Sequence, residues 1–308
     1  MKIIITGASG QYGRLAVDRL LAIVAPQDLI LITRRPEKLA ELAGLGVEVR
    51  RGDFDDPESL VPAFAGGERM LLISGTRVGA RVAQHKAAID AAAQAGVKHV
   101  VYTSLLGIHP DNPAIVVKDH APTEDMLRAS GMAWTALRDA QYADAVVSAM
   151  APLAVANGRW PSATGTGRMP FVAREDCVAS AVAVLTGEGH ANRTYDITGP
   201  ELLTFAQAMA LVSEVAGAPV VFESVDAEAM YAMFDAMGVP REPVDDQVVS
   251  GIPWNSDDMV TFELGVAGGF FETLSNDVER LTGRPPQSLR SLLEANRAAF
   301  APAAQVKA

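Results

Sequence analysis

A glycine-rich turn directly after the first apolar run constrains the fold of this chain more than any other feature. The run Ile3–Ile5 is short and β-branched, as expected for a strand that is buried on both faces. Gly7, Gly10 and Gly13 then form the pattern G-x-x-G-x-x-G, and apolar residues at helical spacing follow over Gln11–Val24. Glycine lets the backbone turn sharply and approach a pyrophosphate, and the helix that follows directs free N–H groups at it. The pattern in this position therefore predicts a dinucleotide site.

The order of apolar runs along the chain predicts an α/β fold. Helical stretches separate six predicted strands, namely 2–6, 28–33, 47–50, 70–74, 99–103 and 134–138. Strands that alternate with helices in this way form right-handed crossovers and a parallel sheet. A further strand over 194–198, a helix over 175–185 and a last helix after Arg284 follow. We predict a Rossmann-type, doubly wound parallel sheet with a smaller, mostly helical C-terminal substrate domain.

A change in charge marks the second part of the chain. Between Glu223 and Glu279 there are thirteen acidic residues, and Arg241 is the one base. We expect residues 1–155 to form the dinucleotide-binding Rossmann domain and 156–308 the C-terminal part. Within that part, a segment near 170–198 should return to the sheet, and 200–308 should form the substrate domain. The acidic stretch is interpreted either as a solvated surface or as a flank that disfavours anionic substrates.

Composition excludes several classes of protein. The chain has 308 residues, 49% of them hydrophobic, with a net charge of −11, so it can bury a core and has the wrong sign for tracking nucleic-acid phosphates. Cys177 is the single cysteine, which excludes an intrachain disulfide and a thiolate metal cluster. The five histidines show no H-x-H or H-x-x-x-H spacing, so no metal site is predicted. No apolar stretch approaches a membrane span, and we expect a cytoplasmic protein.

The end of the second predicted strand indicates which dinucleotide binds. An acidic residue at this position holds the ribose 2′-hydroxyl of NAD, whereas arginine accommodates the 2′-phosphate of NADP. Here the strand ends in Thr33, Arg34 and Arg35, and the first carboxylate is Glu37. A guanidinium offers two parallel hydrogen bonds to a phosphate. NADPH (or NADP) is therefore predicted over NADH; the alternative is that both arginines only face solvent.

Polar clusters follow three further strands at the same predicted edge. Asp53 and Phe54 end the third strand, where a side chain would lie beside the adenine. Ser74, Gly75 and Thr76 end the fourth strand, and Thr103 and Ser104 end the fifth. Ligands in open α/β sheets bind outside the carboxyl ends of the strands, so these clusters should face one crevice.

Several motifs together carry a resemblance to a known family. The matching segments are Gly7–Gly13, Arg34, Tyr102–Gly107, His120 with Glu124, Ser130–Arg138, Arg174–Asp176 and Leu281–Pro286. Over nearly its whole length the chain resembles the NmrA-like, atypical branch of the short-chain dehydrogenase/reductase superfamily. It is most similar there to bacterial NAD(P)H:quinone oxidoreductases and to triphenylmethane-dye reductases. The resemblance implies NADPH binding and hydride transfer to a planar conjugated acceptor.

The resemblance also implies which residues contact the cofactor. They fall on Gly7, Ser9, Gly10, Gln11, Tyr12, Arg34, Ser74, Gly75, Thr76, on 139–144 including Asp139 and Tyr142, and around 168–175. Asp139 departs from the asparagine of the quinone reductases, and a carboxylate there would assist a proton transfer or offset positive charge on the oxidised ring. The loop Gln247–Phe271, with Trp254 and Phe262, also departs from the family, which leaves the substrate open.

The acid–base pair of the best-known short-chain dehydrogenases is absent, because none of the five tyrosines has a lysine four residues further on. Three other side chains remain candidates. His120 stands where related reductases carry lysine and is interpreted either as a proton donor or as a histidine that caps the loop before a helix. Ser104 either bonds a substrate carbonyl or bonds backbone at a strand end. Tyr142 either lines the pocket or packs in the core.

These observations predict an NADPH-dependent oxidoreductase that transfers hydride to a quinone-like or conjugated carbonyl acceptor, with Ser104, His120, Asp139 and Tyr142 as candidate catalytic residues. Its partner would be an aromatic or conjugated small molecule, with no nucleic acid and no membrane; a homodimer is left open. One alternative is an NADP-binding redox sensor without turnover, as the NmrA regulators are thought to be. Another is a specialised catabolic dehydrogenase or isomerase that uses Asp139.

Overall fold

A computed structural model describes residues 1–244 and 255–302 of the chain. Its strands are β1 (Ile3–Ile5), β2 (Leu29–Thr33), β3 (Glu48–Arg51), β4 (Arg69–Leu72), β5 (His99–Leu105), β6 (Ala133–Asp139), β7 (Gln141–Tyr142), β8 (Arg159–Ser162), β9 (Arg168–Val172), β10 (Arg193–Ile197), β11 (Leu202–Thr204) and β12 (Val221–Ser224).

The helices are α1 (Gln11–Leu21), α2 (Ala40–Ala43), α3 (Leu60–Phe64), α4 (Arg81–Gln94), α5 (Val117–Ala129), α6 (Ala143–Ala145), α7 (Ala151–Asn157), α8 (Arg174–Thr186), α9 (Phe205–Ala216), α10 (Ala227–Ala236), α11 (Ser256–Ala267), α12 (Asp277–Thr282) and α13 (Leu289–Ala295). Short 3-10 turns cover Pro26–Asp28, Pro36–Leu39, Pro57–Ser59 and Arg297–Ala299, and a π turn covers Val146–Met150. Within the described ranges, no helix is both long and apolar enough to cross a bilayer.

Seven parallel strands form the central sheet in the order β10-β6-β5-β4-β1-β2-β3. The predicted Rossmann-type α/β fold is thus confirmed. Ile3, Ile4 and Ile5 have no exposed surface, because helices cover both faces of the sheet. Full burial of such a side chain contributes about 1.5–3 kcal/mol, so the central strand is strongly stabilised.

Hydrogen bonds between strand ends hold the carboxyl edge of the sheet together. The Thr6 hydroxyl donates to the Leu71 carbonyl (3.1 Å) and accepts from the Ile73 amide (2.9 Å), which joins the ends of β1 and β4. The Ser74 amide donates to the Thr103 hydroxyl (2.9 Å), which joins β4 to β5. Every polar cluster that the sequence places after a strand therefore lies on one edge.

The C-terminal elements pack over this same edge. β11, β9 and β7 form a three-stranded sheet, and β12 pairs with β8. The Ile115 amide, just before α5, donates to the Thr261 hydroxyl on α11 (3.2 Å). A Cβ at Gly107 would lie 2.7 Å from the Phe271 ring, so the segment after α11 closes directly over the β5–α5 loop.

The structure differs from the predicted elements at a few boundaries. The apolar pattern predicts a helix over 123–130, whereas α5 begins at Val117, because Pro122 lies inside the helix instead of in its first turn. Pro36 predicts the first turn of a helix, and the structure has there a 3-10 turn followed by the four residues of α2. In the segment Gln247–Phe271, which departs from the family, Phe262 lies on α11 and packs on Phe271 (ring centroids 4.6 Å apart). Trp254 lies outside the described residues.

Candidate functional site

The glycine turn lies between β1 and α1 at the carboxyl edge of the sheet. Gly7 has a φ of +58°, which side chains disfavour, and its carbonyl accepts a hydrogen bond from the Gly10 amide (2.9 Å). A Cβ at Gly13 would lie only 2.4 Å from the Gly7 carbonyl oxygen, so this glycine is required for packing. At Gly10 the same oxygen is the one near atom, at 3.3 Å. Packing therefore restricts position 10 much less than position 13.

The first turn of α1 is prepared for an anion. Its N-cap residue Gly10 offers no side-chain hydrogen bond, and no acidic residue stands in the first turn. The first N–H groups of a helix have no partner within the helix and carry the positive end of its dipole. Gly7, Gly10 and Gln11 are exposed, so an anion has access to these donors. Phosphate groups are the usual occupants of such a terminus.

Two arginines without partners stand beside this turn. Arg34 and Arg35 follow the end of β2, are exposed, and are the only arginines in the described part of the chain whose side chains make no hydrogen bond or ion pair. The Ser9 hydroxyl lies 2.9 Å from that of Thr33, which ties the glycine turn to the end of β2. The two arginines therefore directly follow the strand end that contacts the glycine turn before α1.

The residues predicted at the adenine lie in a turn that is joined to the β4–α4 loop. Asp53 and Phe54 are half-buried, and the Asp53 amide donates to the Ser59 hydroxyl (3.0 Å). In the same turn, the Asp55 carboxylate accepts hydrogen bonds from Arg77 and Gln84, each at 2.9 Å. The turn after β3 is therefore tied to the β4–α4 loop and to α4 by hydrogen bonds.

Arg81 fixes the loop after β4. Its guanidinium donates to the carbonyls of Gly75 (2.7 Å) and Thr76 (3.2 Å), whereas its Nη1 is buried without a hydrogen-bond partner in the described residues. Ser74 and Thr103 are joined through the amide-to-hydroxyl bond of the strand ends. The predicted cluster Ser74–Thr76 is therefore a braced part of the carboxyl edge.

A buried carboxyl group ends β6. Asp139 accepts a hydrogen bond from the Tyr142 hydroxyl (2.9 Å) through Oδ2, while its Oδ1 is buried and has no partner among the described residues. Burial raises the pKa of Asp139 to about 7, although hydrogen bonds from Tyr142 and Cys177 act in the opposite direction. Near neutral pH this carboxyl group therefore exists in both protonation states.

Tyr12 and Arg174 complete the surroundings of this carboxyl group. The ring of Tyr12 lies 6.4 Å from that of Tyr142, and its buried hydroxyl has no partner within the described chain. The Arg174 guanidinium lies 5.0 Å from the Tyr142 ring centroid and 3.3 Å from the Asp144 carboxylate. Cation–π contact of this kind holds the tyrosine in place. The segment from 139 to 144 and the start of α8 thus meet, as the resemblance implies, whereas Arg168 faces Glu272 at the surface.

Ser104 lies on the opposite face of the sheet from Asp139. Its hydroxyl donates to Glu124 (2.8 Å), a buried carboxylate that also accepts two hydrogen bonds from Arg138 (2.9 and 2.8 Å) and one from Arg128 (2.6 Å). Burial alone would raise the pKa of Glu124, but these partners, Arg138 foremost, hold it below its usual value. The role predicted for Ser104 at a substrate carbonyl would compete with its bond to Glu124.

His120 lies in the first turn of α5, on the same face as Ser104. Its Nδ1 is 2.7 Å from the Tyr102 hydroxyl. Burial, with the nearby Arg81 cation and His85, holds the pKa of His120 well below its usual value. The imidazole is therefore uncharged at neutral pH.

The residues that sequence reasoning missed are Arg81, Arg174 as a partner of Tyr142, and Cys177 beside Asp139. Each acts through contacts between distant segments, and no local signal marks them. Within the described ranges, no group of three or more potential metal ligands is found.

Comparison with known proteins agrees with this geometry. Residues 7–186 match a family model described as NAD(P)H-binding. Quinone oxidoreductase 2 of Escherichia coli (strain K12) is 33% identical over 289 residues, which cover 93% of this chain and 96% of that protein.

Solved structures extend the comparison to the fold. The crystal structure of the E. coli NADPH-dependent quinone oxidoreductase complexed with NADPH matches with a TM-score of 0.86 and 31% identity, covering 95% of this chain and 99% of that one. The Citrobacter sp. triphenylmethane reductase complexed with NADP(H) matches with a TM-score of 0.82 and 31% identity over 97% of this chain and 100% of that one. The chain therefore belongs to the family of NAD(P)H-binding proteins, with quinone oxidoreductase and triphenylmethane reductase among its relatives, as its sequence predicted.

Proposed function

We propose that this chain is an NADPH-dependent oxidoreductase that reduces a quinone-like or conjugated carbonyl acceptor. The observation that carries the proposal is the pair of unpartnered arginines, Arg34 and Arg35, beside the uncapped terminus of α1. The relatives named above, a quinone oxidoreductase and a dye reductase, support the acceptor class.

The residues present fit the cofactor. The backbone from Gly7 to Tyr12 would bind the diphosphate, because its free N–H groups and helix dipole favour an anion. Arg34 and Arg35 would bind the 2′-phosphate, since exposed guanidinium groups without partners are free to form charge-assisted hydrogen bonds. Asp53 and Phe54 would lie at the adenine. Ser74, Gly75, Thr76 and Thr103 would lie along the path from the diphosphate to the nicotinamide.

The reactive end of the cofactor would lie at Asp139 and Tyr142. NADPH, when bound there, supplies a hydride to the acceptor. Tyr142 donates its hydrogen to Asp139 Oδ2 and so holds the carboxyl group, while the buried Oδ1 has no hydrogen-bond partner among the described residues. Because burial raises the pKa of Asp139 to about 7, this group would hold a proton close to the reacting rings.

The acceptor class also agrees with what the chain lacks. No tyrosine here is followed by a lysine four residues on, so alcohol oxidation by that pair is disfavoured. A quinone needs less assistance from the protein, because the negative charge of the product is delocalised and its proton can come from water. Positioning of the two rings would then be the main task of the site.

Turnover with defined acceptors tests the proposal. Purified protein is mixed with NADPH and a panel of quinones, triphenylmethane dyes and enones, and NADPH consumption is followed, with NADH as the matched cofactor control. We expect acceptor-dependent consumption that is faster with NADPH. Tight NADPH binding without consumption by any acceptor would contradict an enzyme and favour the redox-sensor alternative.

Several finer statements stay predictions. The division of the chain near residue 155, the substrate domain over 200–308, the cytoplasmic location and a homodimer are inferred from sequence. Limited proteolysis, cell fractionation and light scattering test them.

A further inference from the structure

A cavity of about 330 Å³ lies between the β5–α5 loop and the segment after α11. Residues 106–109 form one wall, and Phe270 and Thr273 form the other. Arg138 and Asp196 form the floor. This volume is at the lower end of the usual range for small-molecule sites, so it suits a ligand of about the size of an amino acid rather than a dinucleotide.

The central sheet sets the floor of this cavity. Ser104 on β5 pairs with Arg138 on β6, which in turn pairs with Asp196 on β10. Paired residues on neighbouring parallel strands point to the same face of the sheet and lie about 4.8 Å apart. Asp139 follows Arg138 in β6 and therefore points to the other face. The sheet thus separates the cavity from the carboxyl group at the proposed reactive end of the cofactor.

Both charged groups of the floor keep unused hydrogen-bonding capacity. Nε and Nη2 of Arg138 donate to Glu124 (2.9 and 2.8 Å), whereas Nη1 makes no hydrogen bond within the described residues. The hydrogen bonds of Asp196 to Asp277 and Ser275 are made by its backbone. Its carboxylate has neither a hydrogen bond nor an ion pair in the described part of the chain, and Arg138 is ion-paired with Glu124 instead.

Asp196 is the less well stabilised of the two groups. The residue is half-buried. Burial raises the pKa of Asp196; the Arg138 cation opposes this shift, and the carboxylates of Asp277 and Glu124 add to it. A carboxylate in such surroundings is stabilised by a positive group that enters the cavity and donates a hydrogen bond to it.

The walls add an apolar and aromatic surface. Leu106 is buried, and Ile108 and Phe270 are half-buried. The ring centroid of Phe270 lies 5.5 Å from that of His109. An apolar group that is held above the floor would be removed from water by these side chains, which favours its binding.

The two charges on the floor select among small ligands. A simple carboxylate would bring a second negative charge to Asp196, and a simple amine would bring a second positive charge to Arg138. A quinone carries hydrogen-bond acceptors alone and would leave Asp196 unpaired. A zwitterion satisfies both groups, because its carboxylate accepts from the guanidinium and its ammonium group donates to the aspartate. In an α-amino acid both groups stand on one carbon, which matches two floor residues on adjacent strands.

We propose that this cavity binds a small zwitterion, namely an α-amino acid with an apolar side chain. Asp196 binds its ammonium group, Nη1 of Arg138 binds its carboxylate, and Ile108 and Phe270 pack on its side chain. The site is separate from the proposed cofactor site, and binding requires neither NADPH nor an acceptor.

Three probes with the same apolar body test the charge selection. Calorimetric titration of the full chain compares L-phenylalanine with 2-phenylethylamine, which lacks the carboxylate, and with 3-phenylpropionate, which lacks the ammonium group. We expect L-phenylalanine to bind with a Kd at or below about 1 mM, and each of the other two to bind at least about 10-fold more weakly. Saturating NADPH should leave the Kd of L-phenylalanine unchanged.

Three substitutions test the location. Asp196→Asn keeps the shape of the side chain without its charge and should weaken L-phenylalanine at least about 10-fold. Ile108→Trp fills the cavity without changing its charges and should abolish binding. Glu279→Gln removes an exposed carboxylate from α12, which packs beside β10, and is the matched control with an unchanged Kd. Circular dichroism and thermal melting show whether each variant is folded. If Asp196→Asn does not fold, Ile108→Trp and the three probes decide.

Three results would overturn the inference. One is the absence of binding by both L-phenylalanine and L-leucine at about 10 mM. Another is binding of the amine or of the carboxylate as tightly as L-phenylalanine, which would reject a zwitterion. The third is a Kd that Ile108→Trp leaves unchanged or that NADPH weakens, since either would place the amino acid elsewhere. No readout involves turnover, so the failure of this inference and the failure of the proposed function are seen separately.

Discussion

Replacing Asp139 by asparagine removes a buried carboxyl group whose pKa burial raises to about 7, from 3.8 in an unfolded chain. Asparagine has nearly the same shape and can still accept a hydrogen bond from Tyr142. The substitution therefore isolates the proton and the charge from the packing. Its effect should depend on pH.

The magnitude follows from proton linkage. A carboxyl group with a raised pKa stabilises the fold fully below its unfolded pKa, and this contribution is lost as the pH rises through the folded pKa. Between about pH 5.5 and pH 7 the folded chain keeps a proton that the unfolded chain has released, at about 1.4 kcal/mol per pH unit, or roughly 2 kcal/mol in all. The wild-type protein should lose this much stability relative to Asp139→Asn between about pH 5.5 and about pH 8.5.

Urea unfolding of both proteins at several pH values measures the difference. Glu263 on α11 is the matched control, since burial raises its pKa to about 7 as well, and its carboxylate accepts from the Ala163 amide (2.6 Å) rather than from Tyr142. Glu263→Gln should show a similar pH-dependent difference in stability. Of the two variants, only Asp139→Asn should also change the pH profile of kcat. Parallel stability curves for wild-type protein and Asp139→Asn would refute the reasoning.

The remaining predictions concern the glycine turn and the buried ion pairs. Gly10→Val should abolish NADPH binding in calorimetry, since a side chain there occupies the diphosphate position, and should change the free energy of unfolding by no more than about 1 kcal/mol. Gly13→Ala should instead destabilise the fold by about 1–3 kcal/mol in urea unfolding, because its Cβ would lie 2.4 Å from the Gly7 carbonyl oxygen; an unchanged midpoint would contradict this packing. Glu124→Gln should cost about 3 kcal/mol near neutral pH, because Arg138 loses a charged partner. Because the pKa of Glu124 is lowered in the folded chain, the extra stability of the wild-type protein over Glu124→Gln should be lost as the pH falls below the usual glutamate range. A stability difference that is independent of pH would count against the ion pair.

The parts of the fold that sequence could predict are those with a strong local pattern. Ile3–Ile5 and Leu29–Thr33 are almost continuously apolar, which predicts buried strands. The glycine turn after the first of them predicts a nucleotide-binding strand–turn–helix. β9 escaped prediction because it contains Pro170, which is unusual within a sheet. The start of α5 was misplaced for a similar reason, since Pro122 favours a first-turn position that it does not take here.

In the candidate site, too, local sequence predicts some residues, whereas other properties depend on packing between distant segments. Arg34 and the glycines follow from their place after a strand, and the geometry only adds that the guanidinium group has no partner. The hydrogen-bond partner of His120 is Tyr102, which lies 18 residues away in sequence. The pKa of Asp139 depends on burial against α8. Such properties arise from packing between segments, and no local pattern encodes them.

The central claim is that the turn from Gly7 to Tyr12 and the arginine at position 34 bind NADPH. Calorimetric titration of wild-type protein and Arg34→Ala with NADPH and with NADH tests it most directly. We expect the wild-type protein to prefer NADPH. Arg34→Ala should lose about 1.5–3 kcal/mol of NADPH binding, roughly 10- to 150-fold in affinity, with NADH affinity almost unchanged. Equal losses for the two nucleotides would contradict the phosphate assignment, and a wild-type protein that binds neither nucleotide would contradict the whole site.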